Sequence, residues 1–129
     1  MNLFQGEYIF LHSGEPTDFK IDCDALSDED IKQLAKIIAR KVKFSKIYGI
    51  PNGGSRLALA LEPYKTEDSN TFLIVDDVLT TGGSFRATES WVRRDFKWTG
   101  EIKGFCIFAR KPENKPAWVD SVFDMNLSV

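Results

Sequence analysis

The residues best suited to chemistry lie between Phe72 and Ser84, in the run FLIVDDVLTTGGS, with FRATES following. An apolar stretch ends at Val75, and two carboxylates, Asp76 and Asp77, come next. Two hydroxyls (Thr80, Thr81), two glycines (Gly82, Gly83) and a third hydroxyl (Ser84) then lead into a helical pattern. Glycines let a backbone turn with its N–H groups directed inward. The start of a helix adds unpaired donors and the positive end of the dipole. With hydroxyls completing the shell, such a loop can cradle a phosphate dianion. Carboxylates do not favour a phosphate directly, but they accept hydrogen bonds from sugar hydroxyls or suit a Mg²⁺ shell. The combination points to a ribose-phosphate site. The alternative is an acidic turn that merely caps a helix. No lysine follows the glycines as it would in a Walker A loop.

A second glycine-rich turn, Asn52-Gly53-Gly54-Ser55, follows Pro51 in the run YGIPNGGSRLA. It also stands between an apolar strand pattern and a helical one. Arg56 is placed to add positive charge there. Taken alone, an ordinary strand-to-helix turn explains the same residues.

These loops need elements to hold them. Residues 8–11 and 19–23 read as short strands around the turn-rich segment HSGEPTD. Ser27 is a good helix N-cap, with Asp28, Glu29 and Asp30 in the first turn. Ile31, Leu34, Ile38 and Val42 recur at helical spacing, and Lys41 and Lys43 sit near the far end. Lys46 to Ile50 reads as a buried strand, Arg56 to Leu61 as a helix ending before Pro63, and 65–70 as a loop. Thr71 to Val75 has the character of a central parallel strand. Asp76 to Gly83 reads as a loop, Ser84 to Phe96 as a helix, and Ile102 to Ala109 and Val119 to Met125 as strands. Alternating strands and helices predict a single α/β domain over 1–129, with a central, mostly parallel sheet flanked by helices. Ligand loops belong at the carboxyl ends of its strands, where both glycine-rich turns emerge.

Bulk properties narrow the function classes. The 129 residues suit one core, and a net charge of −2 from 17 basic and 19 acidic residues does not suggest a nucleic-acid binder. The apolar runs are shorter than the roughly 20 residues needed to span a membrane, and MNLFQGEYIF lacks the pattern of a signal peptide. Cys23 and Cys106 form no CxxC pair. Packed, reduced thiols are expected of them, in keeping with a cytoplasmic protein. Trp91, Trp98 and Trp118 read as core or interface residues, and Arg93, Arg94 and Lys97 as a solvated helix face.

The run VDDVLTTGGS resembles the phosphoribosyl pyrophosphate (PRPP) motif of type I phosphoribosyltransferases. That resemblance implies that Thr80, Thr81, Gly82, Gly83 and Ser84 hold the 5′-phosphate and that Asp76 and Asp77, the catalytic pair, face the ribose hydroxyls. It makes the second turn a pyrophosphate loop, formed by Asn52, Gly53, Gly54, Ser55 and Arg56, with a cis or strained peptide within Pro51 to Gly53. Mg²⁺ is implied as the companion of PRPP, with no direct protein ligand expected, and a homodimer is implied as the assembly.

The segment FLHSGEPTDFKIDCDALSDED is similar to the start of orotate phosphoribosyltransferases, and residues 1–25 would form a small hood over core 26–129. By that similarity His12, the one histidine, and Lys20 face the base. His12 stands where the subfamily has a lysine, and Lys20 and Ile21 replace its aromatics; His12 serves equally well as a turn cap. The stretch IKGFCIFARKPENKPAWVDSVFDM resembles the subfamily's end and maps its base-facing arginine onto Arg110, although a solvated Arg110–Lys111 pair is the plainer reading. One departure stands out. Orotate enzymes carry a long basic lid between the positions of Pro63 and Thr71, and this chain has only YKTEDSN, with Lys65 as a remnant of the basic set. Three functions are therefore expected to compete: a pentosyltransferase passing phosphoribose to a base, orotate first; a module that binds PRPP with little or no turnover; and an interaction protein that reuses the fold.

Overall fold

The computed structural model describes residues 26–125. The expected strands at 8–11 and 19–23, the hood-like segment, His12, Lys20 and Cys23 lie outside that range.

Helix α1 (Asp28–Lys41) begins as its sequence dictates. The Ser27 side chain accepts from the Asp30 amide at 3.0 Å, and the Asp30 carboxylate accepts from the Ser27 amide at 3.2 Å, a reciprocal capping box. Strand β1 (Lys46–Gly49) then leads through the first glycine-rich turn into the short helix α2 (Ser55–Leu61). A 3₁₀ turn (Glu62–Tyr64) absorbs Pro63 and closes α2. Strand β2 (Thr71–Leu79), helix α3 (Gly83–Arg94), strand β3 (Glu101–Ala109), a second 3₁₀ turn (Pro112–Asn114) and strand β4 (Val119–Asp124) complete the described chain.

The four strands form one sheet in the order β1-β2-β3-β4, and every neighbouring pair is parallel. Alternation along β2 sends Leu73 and Val75 to one face and Phe72 and Ile74 to the other. The first face is covered by Ile31, Leu34 and Ile38 of α1 with Leu57 and Leu61 of α2. The second is covered by Phe85 and Val92 of α3. Burial on both faces is what the unbroken apolar run TFLIV requires.

One expected boundary is wrong in an informative way. Strand β2 runs on through the acid pair to Leu79, so Asp76 to Leu79 are strand and not loop. The ladder to β3 continues at Asp76↔Cys106, Val78↔Phe108 and Leu79↔Ala109 and overrides the poor strand propensity of aspartate. The remaining boundaries differ from expectation by one or two residues, as helix and strand ends commonly do.

Arg93 is not part of a freely solvated face. Its Nη1 donates to the carbonyls of Trp98 (3.0 Å) and Gly100 (2.6 Å) and so fixes the chain between α3 and β3. Trp98 and Trp118 pack against the second core, whereas Trp91 is 37% exposed beside Tyr48 and Phe96. Cys106 is a free, fully buried thiol, and burial pushes its pKa up to about 12. No helix among the described residues is long and apolar enough to cross a membrane.

Candidate functional site

Because β1 and β2 are adjacent and parallel, their carboxyl ends bring both glycine-rich turns to the same end of the sheet. The Pro51–Asn52 peptide is cis, within the segment where the family resemblance implied one. The turn folds back on the sheet: Ile50 N–H donates to Val75 O (2.8 Å) and Gly54 N–H to Ile50 O (2.8 Å). Gly54 has no room for a side chain, since a Cβ there would meet Val75 O and lie 2.7 Å from Ile50 N.

Asp77 reaches from β2 toward this turn. Its carboxylate occupies the space into which a Cβ on Gly53 would project. Asp77 Oδ1 also accepts from the Val78 amide (2.7 Å), and Asp76 Oδ1 accepts from the Asp77 amide (2.8 Å). Asp76 is only 9% exposed. Burial pushes its pKa up to about 7, and a hydrogen bond with the Asp77 side chain and that group's charge act in the same direction.

Beyond the acids the chain makes the second turn. Gly82 is left-handed, with φ of 81°, and serves as the N-cap of α3. Asp76, Val78, Thr80, Thr81, Gly82 and Ser84 line a small hollow at this point. The amide of Gly83 donates to Thr81 Oγ1 (3.1 Å), so within Thr81 to Ser84 that donor is already engaged. The first turn of α3 carries no acid. It carries Arg86, whose Nη1 lies against the position a Gly82 Cβ would take. A cation at a helix N-terminus opposes the dipole unless an anion lies between them. Arg86 was not singled out from the sequence, and its spacing of four residues from Gly82 was the available signal.

The two turns are narrower donors than their sequences implied. In the first, the amides of Gly54 and Ser55 are spent inside the turn, on Ile50 O and Asn52 O (3.3 Å). Arg56, expected to add charge at this turn, is directed to α1. Its Nη2 donates to Leu26 O (2.7 Å) and pairs with Asp28 Oδ1 (3.2 Å). Arg110 follows the end of β3, its amide bound to Leu79 O at 2.8 Å, and its buried Nε has no hydrogen-bond partner among the described residues. A buried donor without an acceptor is costly, and a bound acceptor would satisfy it. The 65–70 connection lies at the amino ends of β1 and β2, away from both turns. Thr66 N–H bonds Phe44 O (2.9 Å), Ser69 Oγ bonds Lys43 O (3.0 Å), and Lys65 pairs with Glu62 (3.0 Å). Lys65 is thus a surface ion pair remote from the acids.

A larger groove of about 490 Å³ lies between α1 and α2, lined in part by Ile31, Lys32, Leu59 and Tyr64. Its size alone does not make it the candidate site, because it holds neither glycine-rich turn nor the acid pair. Among the described residues no cluster of three or more His, Cys, Asp or Glu side chains is arranged to hold a metal ion.

No family model and no curated protein matches this chain. Solved structures do match in fold. Leishmania donovani UMP synthase aligns with a TM-score of 0.59 at 15% identity over 74% of this chain, which spans 26% of that protein's length. Mycobacterium tuberculosis orotate phosphoribosyltransferase, solved with inorganic phosphate, aligns with a TM-score of 0.56 at 18% identity, over 75% of this chain and 70% of that one. A purine phosphoribosyltransferase from Pyrococcus horikoshii gives a TM-score of 0.56 at 20% identity, over 78% and 85%. The chain has the type I phosphoribosyltransferase fold. At these identities the likeness is one of architecture, and function must be argued from the site.

Proposed function

We propose that this chain binds PRPP at the carboxyl ends of β1 and β2 and transfers its phosphoribosyl group to a nitrogenous base, with orotate the first candidate. The observation that carries this reading is the meeting of the two turns at the acid pair, with Asp77 seated on Gly53 and Asp76 beside the Thr80–Ser84 loop. Thr80, Thr81, Gly82, Gly83 and Ser84 would hold the 5′-phosphate, and Arg86 would supply positive charge over it. Asn52 and Gly53 would serve the pyrophosphate, with Gly54 and Ser55 shaping the turn. Arg110 would meet the base, with its buried Nε, unpaired among the described residues, as the support. His12 and Lys20 on the hood-like segment 1–25 would complete the base side of a single domain. Mg²⁺ would enter with PRPP. A homodimer and a cytoplasmic setting belong to the same reading.

In the reaction, a base nitrogen donates its lone pair to C1 of the ribose. The bond from C1 to pyrophosphate breaks, and pyrophosphate leaves with that electron pair. No protein nucleophile is required. The chain's contribution is positioning and charge: the carboxyl oxygens of Asp76 and Asp77 accept from the ribose hydroxyls and favour the cationic, oxocarbenium-like sugar.

A second reading is favoured by the placement of residues 65–70. The short α2–β2 connection lies at the amino ends of β1 and β2, so it brings no cation to the leaving group. Binding without efficient turnover is the consequence, as in a regulatory or catalytically weak module. Pyrophosphate release, measured with Mg-PRPP and a panel of bases led by orotate, separates the two. Release dependent on a base establishes the transferase; tight binding without release establishes the module; absence of binding defeats both.

A further inference from the structure

The β3–β4 connection reaches back to the phosphate loop through one side chain. Asn114 Nδ2 donates to Thr80 O at 2.7 Å, across 34 positions of sequence. The Asn114 carbonyl lies 2.8 Å from the place a Gly82 Cβ would occupy, and Pro116 Cδ lies 3.5 Å from it. The connection is itself anchored. Asn114 N–H bonds Lys111 O (2.9 Å), Lys115 N–H bonds Pro112 O (3.1 Å), and Lys115 Nζ bonds Ser121 Oγ (3.0 Å) and Asp124 Oδ1 (3.1 Å). One residue earlier on β2, Leu79 O is held by the amide of Arg110. Consecutive carbonyls at the end of β2 are therefore gripped by the start and the tip of one connection.

A peptide unit is planar, and in the trans form its C=O and N–H point in opposite directions. The carbonyl of Thr80 and the amide of Thr81 belong to one such plane. Whatever holds the first aims the second.

We propose that Asn114 is a positioning residue of the phosphate loop: by gripping Thr80 O with its side chain it directs the Thr81 N–H, while its backbone carbonyl leaves no room for a side chain at Gly82. This deepens the PRPP reading and rests on it. It also makes the β3–β4 connection a strut between the proposed base contact at Arg110 and the proposed phosphate contact.

The test compares wild type, Asn114→Ala and Asn114→Gln. Calorimetry gives affinity for Mg-PRPP and for inorganic phosphate, amide hydrogen exchange reports on residues 81–84, and thermal melts report on the fold. Asn114→Ala should weaken both ligands about tenfold, as expected for losing one hydrogen bond that orients a charged-ligand donor. It should also accelerate exchange at 81–84 while moving Tm little. Asn114→Gln, which keeps a donor amide, should recover part of the affinity. Unchanged exchange and affinity in Asn114→Ala would overturn the proposal, as would a loss of affinity explained wholly by a fall in Tm. If wild type binds neither ligand, the PRPP reading falls by itself. The positioning of the loop is then decided by exchange alone, and unchanged protection in Asn114→Ala rejects that too.

Discussion

The carboxylate of Asp77 lies where a side chain on Gly53 would have to go. This contact joins the end of β2 to the turn after β1, and it makes the glycine a requirement of the acid and not of the turn alone. Gly53→Ala should displace Asp77 and lower affinity for Mg-PRPP at least about tenfold, with a stability cost of about 1–3 kcal/mol typical of overpacking. Titration calorimetry with a parallel melt checks it. Wild-type affinity in the variant would show that the contact is incidental.

Gly82→Val tests the other turn. At φ of 81° an L-residue costs about 1–2 kcal/mol, and its Cβ would press on Asn114 O and the Arg86 guanidinium. Binding of phosphate or sulfate should be lost while the far-ultraviolet spectrum stays that of the parent. Retained anion affinity would contradict the placement of the phosphate at Thr81 to Ser84.

The state of Asp76 gives stability a definite pH dependence. Its pKa is raised from 3.8 to about 7 in the folded chain, so between those values the folded state binds the proton more strongly than the unfolded one. The contribution is fully present below about pH 4, declines as pH rises toward 7 and is gone above it. Asp76→Asn should flatten that part of the profile and leave the protein more stable than the parent at pH 8, measured by urea unfolding. A parent profile without the decline would show that Asp76 is ionised throughout.

The same carboxyl should release a proton when PRPP binds. Ribose hydroxyls donate to the ionised form and would lower the Asp76 pKa. Near pH 6.5, binding enthalpies measured in buffers of different ionisation heat should reveal that release at Asp76. The phosphate groups of PRPP also titrate near this pH, so the signal must shrink in Asp76→Asn. An undiminished signal would locate the proton on the ligand.

Much of this architecture was legible from residue order. Ser27 with the acids behind it announced α1, and Pro51-Asn52-Gly53-Gly54 and Thr80 to Ser84 announced two turns at strand ends. What escaped depends on long-range geometry. Aspartates read as loop formers, yet pairing with Cys106 keeps Asp76 in β2. Arg56 read as a free charge beside a turn, yet the carbonyl of Leu26 and Asp28 claim it. Arg93 read as solvated, yet two carbonyls of the following loop hold it. The parts played by Arg86 and Asn114 come from contacts at Gly82 and Thr80, and for Asn114 no local pattern could have revealed them.

Ser27→Ala is the simplest check on the described fold. Losing the capping hydroxyl should cost about 1 kcal/mol and leave ligand binding alone, since that hydroxyl serves the Asp30 amide and neither glycine-rich turn. A much larger loss would mean that the Ser27–Asp30 pair supports more than one helix end.

The buried thiol on β3 gives the molecule a built-in reporter. Cys106 is aligned with Asp76 on one side and Ser121 on the other, and no solvent reaches it. With Cys23 replaced, thiol-reactive dye should label the folded chain only as fast as the strands part, and its rate becomes a clock for breathing directly beneath the acids. An occupant that bridges the ends of these strands would slow that clock.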